Sequence, residues 1–133
     1  MTVKQLRLVV HAEDYDEALR FFRDVLGMPE QEAYASDGGP GSPEVTILDA
    51  GRATLEIANS AQAAMIDDVE VGRRVAPHFR VALEVDDCAA ASERATDGGA
   101  VPVAPPTRTP WDSLNARFDA PGEVHLTLFQ ELA

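Results

Sequence analysis

The sequence predicts an α+β fold made of two paired βαβββ modules. Three observations lead there. The elements legible along the chain run strand, helix, three strands, and then the same again. LRLVVHAEDYDEALRF aligns with FRVALEVDDCAAASER at an offset of 73, pairing Arg7 with Arg80 and Asp14 with Asp87. ATLEIA aligns with VHLTLF at an offset of 71, pairing Glu56 with Thr127. A repeat of about 60–70 residues fixes the architecture, and a half of that size buries too little surface to stand alone. The expected organisation is one domain over 1–133, with module one over about 3–59, a connector at 60–76 and module two over about 78–130.

Each element has a local reason. In VKQLRLVVHA (3–12), Leu6, Leu8 and Val10 alternate with Arg7, Val9 and His11, the period of a strand. Asp14 and Glu17 form a capping box ahead of a helix whose apolar positions are Ala18, Leu19, Phe22, Val25 and Leu26, closed by Gly27. A weaker strand at 30–36 leads into DGGPGSP, a loop by its Gly and Pro content. Strands at 44–50 and 53–59 form a hairpin across Ala50-Gly51-Arg52. Residues 60–76 lack alternation and read as a connector with one helical turn near 61–66. A strand at 78–86, an Asp87-capped helix at 88–97 and a short strand at 100–104 follow. Next come a Pro-rich bend (PPTRTP), a strand at 111–118 bearing Ser113, Asn115 and Arg117 on one side, and a last strand at 124–130.

Composition excludes several roles. With 11 basic and 23 acidic residues the formal charge is −12, which opposes nucleic acid or an anionic membrane surface as a partner. No apolar run reaches the ~20 residues of a membrane span, and no secretory signal opens the sequence. A single cysteine, Cys88, forms no intrachain disulfide, which fits a cytoplasmic setting and a small buried side chain. Ten of the eleven basic residues are Arg, so the strand face on which each Arg falls is informative.

The phrase DYDEALRFFRDVLGM resembles the opening helix of the vicinal oxygen chelate superfamily, which includes glyoxalase I, bleomycin and fosfomycin resistance proteins and extradiol dioxygenases. FRVALEVDD resembles the start of its second module, and WDSLNARFDAPGEVHLTLFQE its closing hairpin. The resemblance implies curled mixed sheets around a cavity. It also implies four metal-ligand positions, one on the first and one on the last strand of each module. These fall on Arg7, Glu56, Arg80 and Thr127. Only Glu56 suits a divalent metal, because a guanidinium has no lone pair to give and Thr127 is a weak donor. No metal and no other cofactor is therefore expected. The turn before the last strand also departs from the family, being A-P-G-E (Ala120 to Glu123) where D-P-x-G is usual.

Parity places Arg7, Glu56, Arg80 and Thr127 on the face away from the helices, with His78, His125 and Phe129. On an ordinary solvated sheet face their ion pairs would contribute only ~0–1 kcal/mol each. Inside a cavity they form a charged cluster, or neutralise one another in place of the metal. His78 and His125 each precede a former ligand position by two residues, so a slid metal site with Glu56 is the alternative. Trp111 either lines the cavity mouth or lies in the core or a dimer interface.

The expected function is metal-free binding of a small organic molecule, aromatic or acidic, in a resistance-like sequestration role. Ligand contacts are expected from Arg7, Glu56, Arg80, Trp111, His125 and Thr127. The alternative is an enzyme: a metal-dependent lyase or dioxygenase using His78 and His125, or an isomerase using Glu56 as general base. Two flanking guanidiniums are expected to lower the Glu56 pKa and weaken it as a base. A homodimer is expected, because a single-layer sheet leaves a large surface open.

Overall fold

The computed structural model describes residues 2–25, 28–51, 53–120 and 124–133, with the side chains of Phe21, Phe22 and Val25 left aside. Leu26, the Gly27 helix stop, Arg52 of the hairpin turn and most of the Ala120–Glu123 turn lie outside the described residues. The elements are β1 (Gln5–His11), α1 (Tyr15–Leu19) continued by a π-helical turn (Arg20–Val25), β2 (Glu30–Ala35), β3 (Glu44–Asp49), β4 (Thr54–Ala58), α2 (Ser60–Glu70), β5 (Phe79–Glu84), α3 (Cys88–Asp97), β6 (Val101–Arg108), β7 (Ser113–Ala120) and β8 (Val124–Glu131). All eight strands join one open mixed sheet in the order β2-β3-β4-β1-β5-β8-β7-β6.

The repeat in the sequence becomes a repeat in register. Val9 of β1 pairs with Glu56 of the parallel strand β4, and Ala82 of β5 pairs with Thr127 of the parallel strand β8, at the same offsets of 73 and 71. Where the modules meet, β1 and β5 run antiparallel with Arg7 opposite Ala82 and Val9 opposite Arg80. A local two-fold through the Leu8–Val81 pair therefore exchanges Arg7 with Arg80 and puts both on one face.

The opposite face carries the cores. Ala12, Leu19, Leu48 and Ile57 pack with Val10, Ala18 and Leu55 around α1. Val85, Cys88, Ala91, Ala116, Phe118 and Leu128 pack around α3. Both helices start as the residues dictate: Asp14 Oδ1 accepts from the Glu17 amide at 3.1 Å, and Asp87 Oδ1 accepts from the Ala90 amide at 3.0 Å. Between them, Leu6 and Phe79 remain 42 % and 54 % exposed.

Three expectations are corrected. Residues 60–76 are not a mere connector with one helical turn, because 11 of them form α2. Asn59 caps it, accepting from the Gln62 amide at 2.8 Å, and ties it to β3 by accepting from the Glu44 amide at 3.2 Å. The Pro-rich segment is not a bend that ends a strand at 104. β6 runs on through Pro105 and Pro106 to Arg108, with register shifts on either side of Ala104. As the edge strand it needs few ladder donors, so proline is tolerated there. The following strand starts at Ser113 rather than at Trp111.

Candidate functional site

α2 lies on the face away from α1 and α3. It touches β3 on one arm of the sheet and β6 and β7 on the other, so it spans the sheet face that carries Arg7 and Arg80; the space between that face and α2 is the cup. Its far end is fastened by Arg117, which is fully buried. Arg117 Nε donates to Glu70 Oε1 at 2.8 Å, and its Nη2 donates to Asp67 Oδ1 at 3.1 Å. The remaining capacity of the carboxylates is used as well. Asn115 Nδ2 donates to Glu70 Oε2 at 2.6 Å, and Asp67 Oδ2 accepts from the amides of Val75 and Ala76, both at 2.9 Å. A polar line from Thr109 in the β6–β7 turn through Ser113 and Asn115 of β7 supports Glu70.

The four positions at which the family resemblance places metal ligands lie beside this fastening. Arg7 forms an ion pair with Glu56 at 3.5 Å, donates from Nε to Gln5 Oε1 at 2.8 Å, and lies 5.1 Å over the Phe129 ring. In the second module Arg80 Nη1 donates to Thr127 Oγ1 at 2.7 Å. The Arg7 and Glu56 side chains keep 21 % and 15 % of their surface exposed, whereas the Arg117 side chain keeps 1 %. α2 thus seals one arm of the cup completely and leaves Arg7 and Glu56 at its centre partly exposed.

Burial changes the electrostatics expected from charges alone. The Glu56 pKa is raised, because burial outweighs the attraction of Arg7 and Arg80. The expectation of a lowered value is corrected: the paired guanidiniums are legible in sequence, but the desolvation that opposes them is not. Burial also weighs against the charge of Arg80, and Arg117 adds to that effect.

His125 Nε2 lies 2.8 Å from Arg117 Nη1, and a guanidinium only donates, so this nitrogen is the acceptor of a neutral ring. Nδ1 then carries the proton toward Asp119 Oδ1 at 3.5 Å. Burial, Arg117 and Arg80 lower the His125 pKa, against the pull of Asp119. The unfolded chain therefore takes up this proton at higher pH than the folded chain, and stability falls as pH drops below about 6.5. His125→Gln keeps an acceptor for Arg117 without a titrating group. Its urea midpoint is expected to fall less than that of wild type between about pH 7 and about pH 5. Equal falls would show that His125 is not held neutral.

The donor set does not fit a divalent metal. Two of the four positions are guanidiniums, and the Thr127 hydroxyl is engaged by Arg80. The slid site is not assembled either. His78 is exposed and packs edge-on against Phe79, while His125 Nε2 faces Arg117. Among the described residues no three His, Cys, Asp or Glu side chains are grouped to hold a metal ion.

Trp111 is not in the core. It sits in the tight turn between β6 and β7, 44 % exposed, and Asp112 beside it adopts φ +62°. Four steps along the strand separate Ser113 from Arg117, roughly 13 Å, so Trp111 does not reach Arg80. Sequence reasoning missed Asp67, Glu70 and the role of Arg117. The available signal was an Asn-capped run of helix formers, SAQAAMIDDVE, with two acids three residues apart.

The chain belongs to the Glyoxalase/Bleomycin resistance protein/Dioxygenase superfamily, whose model matches residues 4–128. Among curated proteins no sequence matches it. Solved structures share its fold. A hypothetical protein from Bacillus halodurans C-125 superposes with a TM-score of 0.67 at 11 % identity, covering 99 % of this chain and 95 % of that one. Methylmalonyl-CoA epimerase from Mycobacterium tuberculosis gives 0.64 at 19 % identity, covering 98 % and 88 %. A variant of 4-hydroxymandelate synthase from Streptomyces coelicolor gives 0.63 at 23 % identity, with 98 % of this chain matching 38 % of that one. Among the described residues no helix is long and apolar enough to cross a membrane.

Proposed function

We propose that this protein binds a small organic molecule in the cup without a metal, in the manner of the sequestering resistance proteins of its superfamily. The observation that carries the reading is the replacement of the chelate by Arg7–Glu56 and Arg80–Thr127, which hold one another directly. Guanidinium donors bind carboxylate and phenolate oxygens through charge-assisted hydrogen bonds. His125 contributes through Arg117, and Trp111 does not contribute to the Arg80 region.

A second reading has its own support. Burial raises the Glu56 pKa, which makes its carboxylate a stronger base, and Arg7 and Arg80 are placed to stabilise an enolate oxygen. Several structures with this fold are named epimerases, and four of them were determined in complex with 2-nitronate-propionyl-CoA. A proton-transferring isomerase using Glu56 would keep the same metal-free cup. In both readings the protein is a homodimer, with the exposed Leu6 and Phe79 strip between the helices as a self-complementary surface. The test is what the isolated protein carries, an organic molecule or a metal, and native mass spectrometry of tag-free protein reads both.

A further inference from the structure

We propose that the ligand is a small organic acid whose carboxylate docks on Arg80. It would stand in the second module where the Glu56 carboxylate stands in the first. The inference rests on the binding reading above and specifies its ligand class.

The local two-fold supplies the argument. Arg7 and Arg80 are equivalent positions, and so are Glu56 and Thr127, the last-strand residues against which each arginine leans. In the first module the contact is an ion pair at 3.5 Å. In the second the arginine meets a neutral hydroxyl at 2.7 Å. Among the described residues Arg7 and Arg117 each contact a carboxylate within 4.0 Å, and Arg80 contacts none. A guanidinium has five N–H groups in a planar fork, and Arg80 spends one nitrogen on Thr127, which leaves the rest of the fork for a bidentate oxyanion. Glu70 and Asp67 are turned to Arg117 and do not fill this place.

Access agrees with this assignment. The Arg117 quarter is sealed beneath α2, whereas Arg7, Glu56 and Arg80 all retain exposure. An incoming acid therefore meets the centre of the cup, beside Val9, which faces Arg80 across the β1–β5 pair. The net charge of −12 opposes an anion only at long range. At physiological salt that repulsion is screened beyond ~8 Å, while the contact with Arg80 is not.

Benzoate is the probe, and benzamide is its uncharged counterpart. In a low-chloride buffer, benzoate is expected to shift the ¹⁵N side-chain Nε–H resonance of Arg80 saturably, with a Kd on the order of 1 mM. Benzamide should leave the resonance in place. Arg80→Gln should weaken benzoate binding roughly 10–100-fold, followed through neighbouring backbone resonances, and Arg80→Lys should restore only part of it. Thr127→Glu supplies the missing carboxylate from the chain itself and should abolish benzoate binding if it folds. Arg94→Gln, on the exposed face of α3, should bind as wild type does.

Equal binding by Arg80→Gln and wild type, equal binding of benzamide, or the lack of any saturable shift would overturn the subsite. The two levels fail differently. An organic molecule held as tightly by Arg80→Gln as by wild type removes the carboxylate subsite and keeps the binding reading. A stoichiometric metal on Glu56 removes the binding reading, whatever benzoate does.

Discussion

Arg117→Met is expected to cost about 3–5 kcal/mol of folding stability, the usual consequence of removing one partner from a buried ion network. Arg117 is fully buried, and its fork divides among Glu70, Asp67 and His125. Methionine fills much of its volume but leaves two carboxylates on α2 without their cation. In a chain of this size such a loss lowers Tm by on the order of 10 °C or more. Arg117→Lys should recover little, since one ammonium cannot reach partners that the guanidinium serves from three nitrogens. Combining Arg117→Met with Asp67→Asn and Glu70→Gln should recover most of the loss, because the uncompensated charge is then gone. Thermal and urea unfolding of the four proteins checks the series. A single Arg117→Met variant as stable as wild type would mean that α2 is not fastened through this residue.

Phe118→Ala, the next residue on the same strand, is expected to cost a similar 3–5 kcal/mol for a different reason. Phe118 is 2 % exposed and faces the other way, into the cluster of Val85, Cys88, Ala91 and Leu128 beneath α3. Its truncation loses the transfer free energy of the ring and leaves a cavity that the rigid sheet closes only in part. Phe118→Leu should therefore recover a large share, whereas the conservative swap at Arg117 should not. Urea unfolding again provides the measurement. Equal recovery by Phe118→Leu and Arg117→Lys would contradict the division of β7 into an apolar face and an ionic face.

What the sequence disclosed follows from how far apart the interacting residues lie. The strand alternation, the Asp14 and Asp87 caps and the module repeat are local or periodic, and they appear as read. The same periodicity placed Arg7, Glu56, Arg80 and Thr127 on one face, because parity along a strand and equivalence across a repeat need no tertiary information. α2 carried a cap and helix formers in its sequence, but its place in the fold was not legible, since its buried side carries Asp67 and Glu70, residue types that in isolation mark a solvated surface. They are buried because Arg117 waits 47 and 50 residues away, a pairing that no local window contains. The prolines of β6 read as a bend because its place at the sheet edge, where a missing N–H costs little, is a property of the topology. For Glu56 the neighbouring charges were read correctly. The sign of its shift came out the other way because burial, invisible in the sequence, is the larger effect.

In the proposed reading the cup holds its ligand through guanidinium and carboxylate groups and not through a chelated metal. Native mass spectrometry of tag-free protein, purified without chelators and exposed to equimolar zinc, nickel, manganese and iron, tests this most directly. The predicted spectrum shows dimers of the 14.3 kDa chain, bare or with an organic adduct, and no metal adduct in any charge state. One metal ion per chain, retained through desalting and lost in Glu56→Gln, would contradict it.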